Sequence, residues 1–511
     1  VADKLLEAFR QYVETASTTL RSAGQSPEFA NLVETNRSEL CELISQLERR
    51  GDFVRLVTET LSSGEVLNRI PSIIADASIG DLTEWSVGSA VGTFFRRSEC
   101  YLKLFEDKPV EIDSLFGSYK NAFRENQVQT RYLAPLAFVD FGFHSLRLSG
   151  FHIRKFSATE LSEVLSSRLN HLFYPLAAAD VNELEDYRFL DVTEAQAPRV
   201  PFPIFEDSLD MDYSPSIRKE FLQFPTPVEM GVRLLSLWDW DTWSRYGFES
   251  PKYRRKPKHK WEPGKGWTRV DVPFVLSISS DLLSPPSRFP EIQPFPYGSQ
   301  LDPETGDEIG DAPMYDLQAS NDEALKFGES LDEVGNALTR LRAHQSEWPF
   351  LEITLGFFLK AFFSEGLQQL LWHITVLEAL FGENKPGLTK LLGTRITAVL
   401  GTSDDERKSI KEAFEELYKS RSNLVHGNSK LLEQKVYVGH LREAREFARR
   451  CLLWFIHCLD HILTEVANSG STQVLPSREN ILSVLDLNDG AKLVIDLLPK
   501  GFPSISTWRT L

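Results

Sequence analysis

Long apolar runs are missing from this chain. No stretch of about 18 or more uncharged apolar residues occurs, so no helix is expected to span a bilayer. Cysteine is scarce too: the four present, Cys41, Cys100, Cys451 and Cys458, include no C-x-x-C pair. That excludes a disulfide framework and points to a reducing, cytoplasmic setting. There is no Walker A loop, no dinucleotide fingerprint and no G-x-S-x-G elbow, so nothing indicates nucleotide hydrolysis or a serine hydrolase. The stretch Val1 to Val13 is amphipathic and carries Asp3 and Glu7, which suits neither a signal nor a transit peptide. Positive charge is in deficit, with 56 Lys and Arg against 73 Asp and Glu. The net charge of −17 argues against a general nucleic-acid binder. It permits one local basic site, because fields are screened within about 10 Å.

What the chain does have is ordinary globular composition, 42% apolar and 25% charged, over 511 residues. That length is too great for one core, so two or three domains are expected. Proline marks the organisation. Of 27 prolines, 17 lie between Pro198 and Pro313, whereas residues 315–467 hold only Pro349 and Pro386. Because proline breaks helix interiors, the middle is expected to be strands and loops, and the later part helical. The linker-like Gly298 to Asp311 marks the main boundary.

The expected fold is a multidomain α+β chain. A helical segment (1–75) and a mixed, proline-rich α/β region (76–312) precede an all-α bundle (315–467) and a C-terminal extension (468–511). In the first segment, Leu5, Phe9, Tyr12 and Val13 form one helical stripe and Leu40, Leu43, Ile44 and Leu47 another, with Gly24 to Pro27 between them. Tyr132 to Phe156 alternates like β-structure, and Val232–Leu237 and Val272–Ser279 are further strand candidates. Ser157 to Glu160 reads as a capping box.

The bundle divides into helical stretches at 319–344, 350–382, 388–400, 404–426 and 437–466. Ser403-Asp-Asp-Glu406 is a capping box with acidic residues in the first turn, and Gly427 and Asn428 suit a stop. Between these signals Ile410, Phe414, Leu417, Arg421 and Leu424 share one face, which places Arg421 where a core residue is expected. Glu378 falls in line with Leu371, Ile374 and Phe381, and Arg395 with Leu388, Leu391 and Val399. Three charges on apolar stripes suggest a paired, partly buried polar cluster.

The segments ITVLEALFGEN, LTKLLGTRITAVLG and LYKSRSNLVHG together resemble the Apea-like branch of the HEPN superfamily over about 150 of the 511 residues. Arg421, His426 and Gly427 match its R-x4-H-G signature, and Glu378 and Arg395 match positions typical of the branch. The residue after the Arg is commonly Asn, Asp or His. Here it is Ser422, followed by Asn423, so either could fill the polar role. The resemblance implies an endoribonuclease of prokaryotic antiviral defence or toxin type, often acting in abortive infection by cutting tRNA or mRNA. It further implies a homodimer in which two motifs meet, and a trigger, phage or cellular, sensed by the N-terminal region. No cofactor or metal is expected.

The residue types suit that chemistry. The ribose 2′-OH serves as nucleophile, histidine titrates near neutrality as base or acid, and a guanidinium grips the phosphoryl group. His426 is also in a last helical turn, where the macrodipole favours imidazolium. Positions i and i+5 are about 140° apart on a helix, so one motif makes a poor compact site alone. The apolar run Leu452 to Ile456 is expected to offer surface to a second chain. The alternative is a non-catalytic dimerisation module, with Arg421 and Glu378 a structural ion pair and His426 a helix cap.

Other candidates are weaker. Residues 251–270 hold eight Lys or Arg and one acid, Glu262, for a local charge of +7. Arg254, Arg255, Lys256, Lys258, Lys260 and Trp261 could hold a phosphate backbone and stack bases, or form a solvated loop. His457 and His461 have metal-ligand spacing among apolar neighbours and read better as core or interface histidines. Asp239 and Asp241 read as a strand end and turn. Replacing Arg254, Arg255, Lys258 and Lys260 by Gln should weaken RNA binding. The slope of log K against log salt should flatten by roughly 0.7 per lost single-strand phosphate contact. An unchanged slope returns the segment to a solvated loop.

Overall fold

The computed structural model describes residues 2–25, 42–44, 46–48, 53, 56, 90–125, 127–136, 139–141, 143–173, 180–198, 224–238, 270, 272, 274–283, 315–317, 321–364, 366–383, 387–401, 403–425, 434–469 and 475–487. The elements begin with α1 (Ala2–Gly24), α2 (Cys100–Phe105) and α3 (Ile112–Arg124), followed by β1 (Gln127–Leu136), β2 (Val139–Phe141), β3 (Ser145–Arg147) and β4 (His152–Lys155). Next come α4 (Ala158–Val164), α5 (Ser167–Phe173), α6 (Val181–Leu184), β5 (Arg188–Pro198), α7 (Thr226–Leu237), β6 (Leu276–Ser279) and β7 (Tyr315–Leu317). The remainder is helical: α8 (Asn321–Arg342), α9 (Pro349–Phe362), α10 (Gly366–Phe381), α11 (Leu388–Leu400), α12 (Asp404–Val425), α13 (Gln434–Ser469) and α14 (Arg478–Leu485). The architecture is therefore mixed and mainly helical. Contacts group it into two compact units, one of Val1–Pro135, Lys155–Ile217 and Phe274–Ile292, the other of Leu136–Arg154, Arg218–Pro273 and Gln293–Leu511.

In the first unit, α1 buries the expected stripe at Phe9, Tyr12 and Val13, continued by Ala16 and Leu20. It packs on α2 and α3. Phe9 lies within 5.4 Å of the Phe53 ring and 5.2 Å of the Phe95 and Phe116 rings, centroid to centroid. Polar groups in this core are paired: Tyr12 and Tyr101 share a hydroxyl hydrogen bond of 2.6 Å, and Arg96 holds Glu48 through two of 2.8 and 2.7 Å. At Gly24, where α1 ends, any side chain would collide with the Phe105 carbonyl, so the close approach of α2 needs glycine there. β1 lies between β5 and β6, paired antiparallel with β6 from Thr130 opposite Ser279 to Leu133 opposite Leu276. Leu133, Phe189 and Leu276 from these strands meet Leu161 and Leu165 from the α4 turn and Leu184 of α6. The Ser157–Glu160 capping box that opens α4 is complete.

In the second unit, β3 and β4 form a hairpin and β2 pairs in parallel with β7. Six helices, α8 to α13, make the bundle. With 36 residues, α13 is about 54 Å long at 1.5 Å per residue, and α8, α9, α10, α11 and α12 all pack against it. Its middle is therefore buried all round, and Leu452, Leu453, Trp454, Phe455 and Ile456 are each at most 7% exposed. This corrects the expectation that the run offers surface to a second chain: the bundle itself uses it.

Two further expectations are overturned. The stretch 350–382 is an α9–α10 hairpin instead of one helix. Both arms are apolar, and folding back buries Phe358 and Phe362 on one and Leu370, Ile374 and Leu377 on the other. The turn opens where Phe363 N–H bonds to Leu359 O and Ser364 Oγ donates to Lys360 O at 2.6 Å. Val232–Leu237 is helix α7, not a strand. Val228, Val232 and Leu235 set a 4, 3 stripe, and Pro227 sits in the first turn, where its missing N–H costs nothing. Of 272–279, residues 276–279 form the strand.

Arg131 on β1 donates to both carboxylate oxygens of Asp191 on β5, at 2.8 and 2.7 Å, and lies 5.5 Å from the centroid of the Phe156 ring. Asp191 is 8% exposed and Arg131 28%. Arg131→Met strands that carboxylate, and a loss of about 2–3 kcal/mol is expected in urea unfolding, towards the low end for a broken buried pair because Arg131 is partly solvated. An unchanged midpoint would show that the pair adds no stability.

Candidate functional site

The site is built on α12, whose start is fixed by Ser403 Oγ accepting from Glu406 N–H at 3.2 Å. Asp404, Asp405 and Glu406 lie at the positive end of the helix dipole. Along the buried face, Ile410, Phe414 and Leu417 are core residues, and the Phe414 ring lies 6.3 Å from Phe447 of α13 and 5.8 Å from Tyr418. The stripe then leaves the core. Arg421, expected in a core position, has a side chain 31% exposed.

Arg421 Nη2 stands 3.9 Å from Oε1 of Glu378 on α10, an ion pair too long for a hydrogen bond. That same oxygen accepts a 2.7 Å hydrogen bond from the Tyr418 hydroxyl. The guanidinium carbon lies 5.7 Å from the Tyr418 ring centroid, and Arg421 Nε is buried with no hydrogen-bond partner. Burial, then the hydrogen bond and charge of Glu378, push the Tyr418 phenol up to about 12. At neutral pH it is a donor. Ser422 and Asn423 are half-buried in the following turn. His426, the basic residues Arg254, Arg255, Lys256, Lys258 and Lys260, and Trp261 lie outside the described residues, as do Asp239 and Asp241.

Arg395 belongs elsewhere. Glu378, Arg395 and Arg421 were expected to form one cluster, but only Glu378 and Arg421 come together. Arg395 is wholly buried on α11 and donates to Asp486 at 2.8 and 2.5 Å, to Glu383 at 2.8 Å and to Phe381 O at 2.6 Å. Beside it, Arg478 donates to the carbonyls of Leu380 and Gly382, at 3.2 and 2.6 Å. These arginines satisfy carbonyls at the end of α10 that have no partner within the helix. Trp348, also buried, donates from Nε1 to Pro476 O at 2.9 Å, so residues 476–486 are tied to the bundle at several points. Arg395 is thus structural, and the partners Glu383, Asp486 and Arg478 were not found from sequence. Tyr418 was missed as well, although its i, i+3 spacing from Arg421 was a usable signal.

Comparison of the chain with protein-family models, curated proteins and solved structures finds no match. Among the described residues, no group of three or more His, Cys, Asp or Glu is arranged to hold a metal ion. His457 is buried and His461 half-buried on α13, in keeping with core histidines.

Two buried histidines give the bundle a pH dependence. His373 on α10 is fully buried, its Nδ1 2.8 Å from Gln369 O, and burial with the charge of Arg445 pushes it down to about 3. Burial pushes His457 down to about 4, with Asp460 acting the other way. An unfolded histidine titrates near 6.5, so below that pH the unfolded chain takes up protons that the folded chain refuses. Stability is fully present above about 6.5 and is lost progressively as pH falls towards 4. Between pH 7 and 5 the expected loss is up to roughly 2 kcal/mol per histidine. Replacing both by leucine should flatten that slope in urea melts at the two pH values. A wild-type slope in the double variant would contradict it.

Proposed function

We propose that the protein is a HEPN-type endoribonuclease that cleaves RNA by attack of the ribose 2′-OH, without a metal. Arg421 grips the phosphoryl group, His426 moves the proton and Ser422 or Asn423 supplies the neighbouring polar contact. The basic 251–270 segment holds the RNA. The chain acts as a homodimer, since positions i and i+5 of a regular helix are about 140° apart, so that one R-x4-H motif closes no compact site and two are needed.

The observation that supports this is the state of the Arg421 guanidinium. Arg96, Arg131, Arg340 and Arg395 are each spent on a carboxylate through two hydrogen bonds. Arg421 is partly exposed, has a carboxylate at 3.9 Å and is not hydrogen-bonded to it. A guanidinium left in that state retains its fork of donors for an incoming phosphate. The competing reading, a dimerisation module without catalysis, draws on the nearness of Glu378, which suits a loose structural pair.

Purified protein is expected to cut RNA in excess EDTA and leave 2′,3′-cyclic phosphate ends. Arg421→Ala and His426→Ala should each lower the rate by about a hundredfold or more while the melting temperature holds. Undiminished cutting by verifiably pure His426→Ala protein would remove the reading. Loss of activity on chelation, restored by added metal, would contradict the metal-free route.

A further inference from the structure

Two donors face one carboxylate oxygen beside Arg421. Glu378 Oε1 takes the Tyr418 hydroxyl at 2.7 Å, and Arg421 Nη2 is left 3.9 Å from the same atom. The two are unequal for a physical reason. Tyr418 is a rigid ring with few torsions, braced by Phe414, which is itself 0% exposed and packed on Phe447. Arg421 would have to fix a long, flexible stem to gain the same bond.

We infer that Tyr418 is a positioning residue that keeps Arg421 available to a phosphodiester, by holding the Glu378 carboxylate at a distance where the guanidinium does not close on it. The inference rests on the reading of Arg421 as a phosphate grip. Four other arginines beside carboxylates close on them, Arg96 on Glu48, Arg131 on Asp191, Arg340 on Asp460 and Arg395 on Asp486, whereas Arg407 and Arg450 stay 3.6 and 3.7 Å from Asp404 and Glu446. Arg421 has the same opportunity and does not take it. Its guanidinium rests near the Tyr418 ring instead, where the face of the ring attracts a cation without consuming an N–H. The phenol therefore acts twice, satisfying the carboxylate and supporting the cation. Its high pKa keeps it protonated, so it remains a donor at any ordinary working pH. Without the hydroxyl, Glu378 is left with an unmet acceptor next to a guanidinium with unmet donors. The two are expected to close into a tight pair, which neutralises the charge that RNA would meet.

The test uses the full chain and a 2′-O-methyl oligonucleotide, which has no free nucleophile and is bound without being cut. Fluorescence anisotropy gives Kd for wild type, Tyr418→Phe, Glu378→Gln, the double variant and Arg421→Ala. Tyr418→Phe should raise Kd roughly tenfold, the scale of one hydrogen bond to a charged group. Adding Glu378→Gln should restore the affinity to within about twofold of wild type, because no carboxylate remains to capture the guanidinium. Glu378→Gln alone should bind at least as tightly as wild type. Wild-type affinity in Tyr418→Phe, or a loss that Glu378→Gln does not repair, overturns the inference. So does weaker binding by Glu378→Gln alone, and that arm holds even if Tyr418→Phe fails to fold. If Arg421→Ala loses binding while Tyr418→Phe keeps it, only the role of Tyr418 falls. If Arg421→Ala binds like wild type, the phosphate grip falls and takes this inference with it.

Discussion

A guanidinium with no exposed surface must be neutralised where it lies, and the helical bundle is organised around that demand at Arg395. Three groups meet it: the Phe381 carbonyl and Glu383 from the end of α10, and Asp486 from the end of α14. The charge also lies at the negative end of the α10 dipole, where a cation is favoured. Removing any one partner would leave a buried charge under-compensated in a low-dielectric interior, so the α10 terminus, the middle of α11 and helix α14 stand or fall together. The second arginine, Arg478, repeats the arrangement one layer out, with its guanidinium carbon 5.7 Å from the Phe350 ring centroid. Burial pushes its pKa down, yet two carbonyls hold its donors in place.

Arg395 and Arg421 make an instructive pair. In the sequence they look alike, each a cation interrupting an apolar helical stripe. In the structure one is saturated and the other is not. The difference lies in what the neighbouring helix supplies. Asp486 brings both oxygens to the fork of Arg395, whereas Glu378, bonded to the Tyr418 phenol, stands 3.9 Å from Arg421. A saturated arginine stabilises; an unsaturated one at the surface keeps donors to spare.

What the sequence made legible was local. The stretch 388–400 matches α11, and the start of α12 follows from a strong signal, the Ser403–Glu406 cap. The stripe of α1 and the capping box of α4 were readable in the same way. The turn between α9 and α10 was hidden because both arms are apolar, and periodicity cannot distinguish one long buried helix from two that fold back. Helix α7 was misread because Val232 to Leu237 is short and apolar enough to suit a strand. At the site, Arg421 and Glu378 were anticipated as anomalies. The partition into two separate polar groups was not, because it depends on Asp486, which lies 91 residues from Arg395. No window of sequence contains that relation.

The same separation sets an order of events in time. At synthesis rates of about 5–20 residues per second, Arg395 is made roughly 5–20 s before Asp486. Through that interval α11 carries a cation with no carboxylate from α14 to meet it, and the Trp348 indole has no Pro476 carbonyl to reach. The interior of the bundle cannot close in its final form until the segment around α14 has emerged. Completion of the bundle is thus tied to the emergence of residues 476–486, which delays the maturation of any activity that needs the finished bundle.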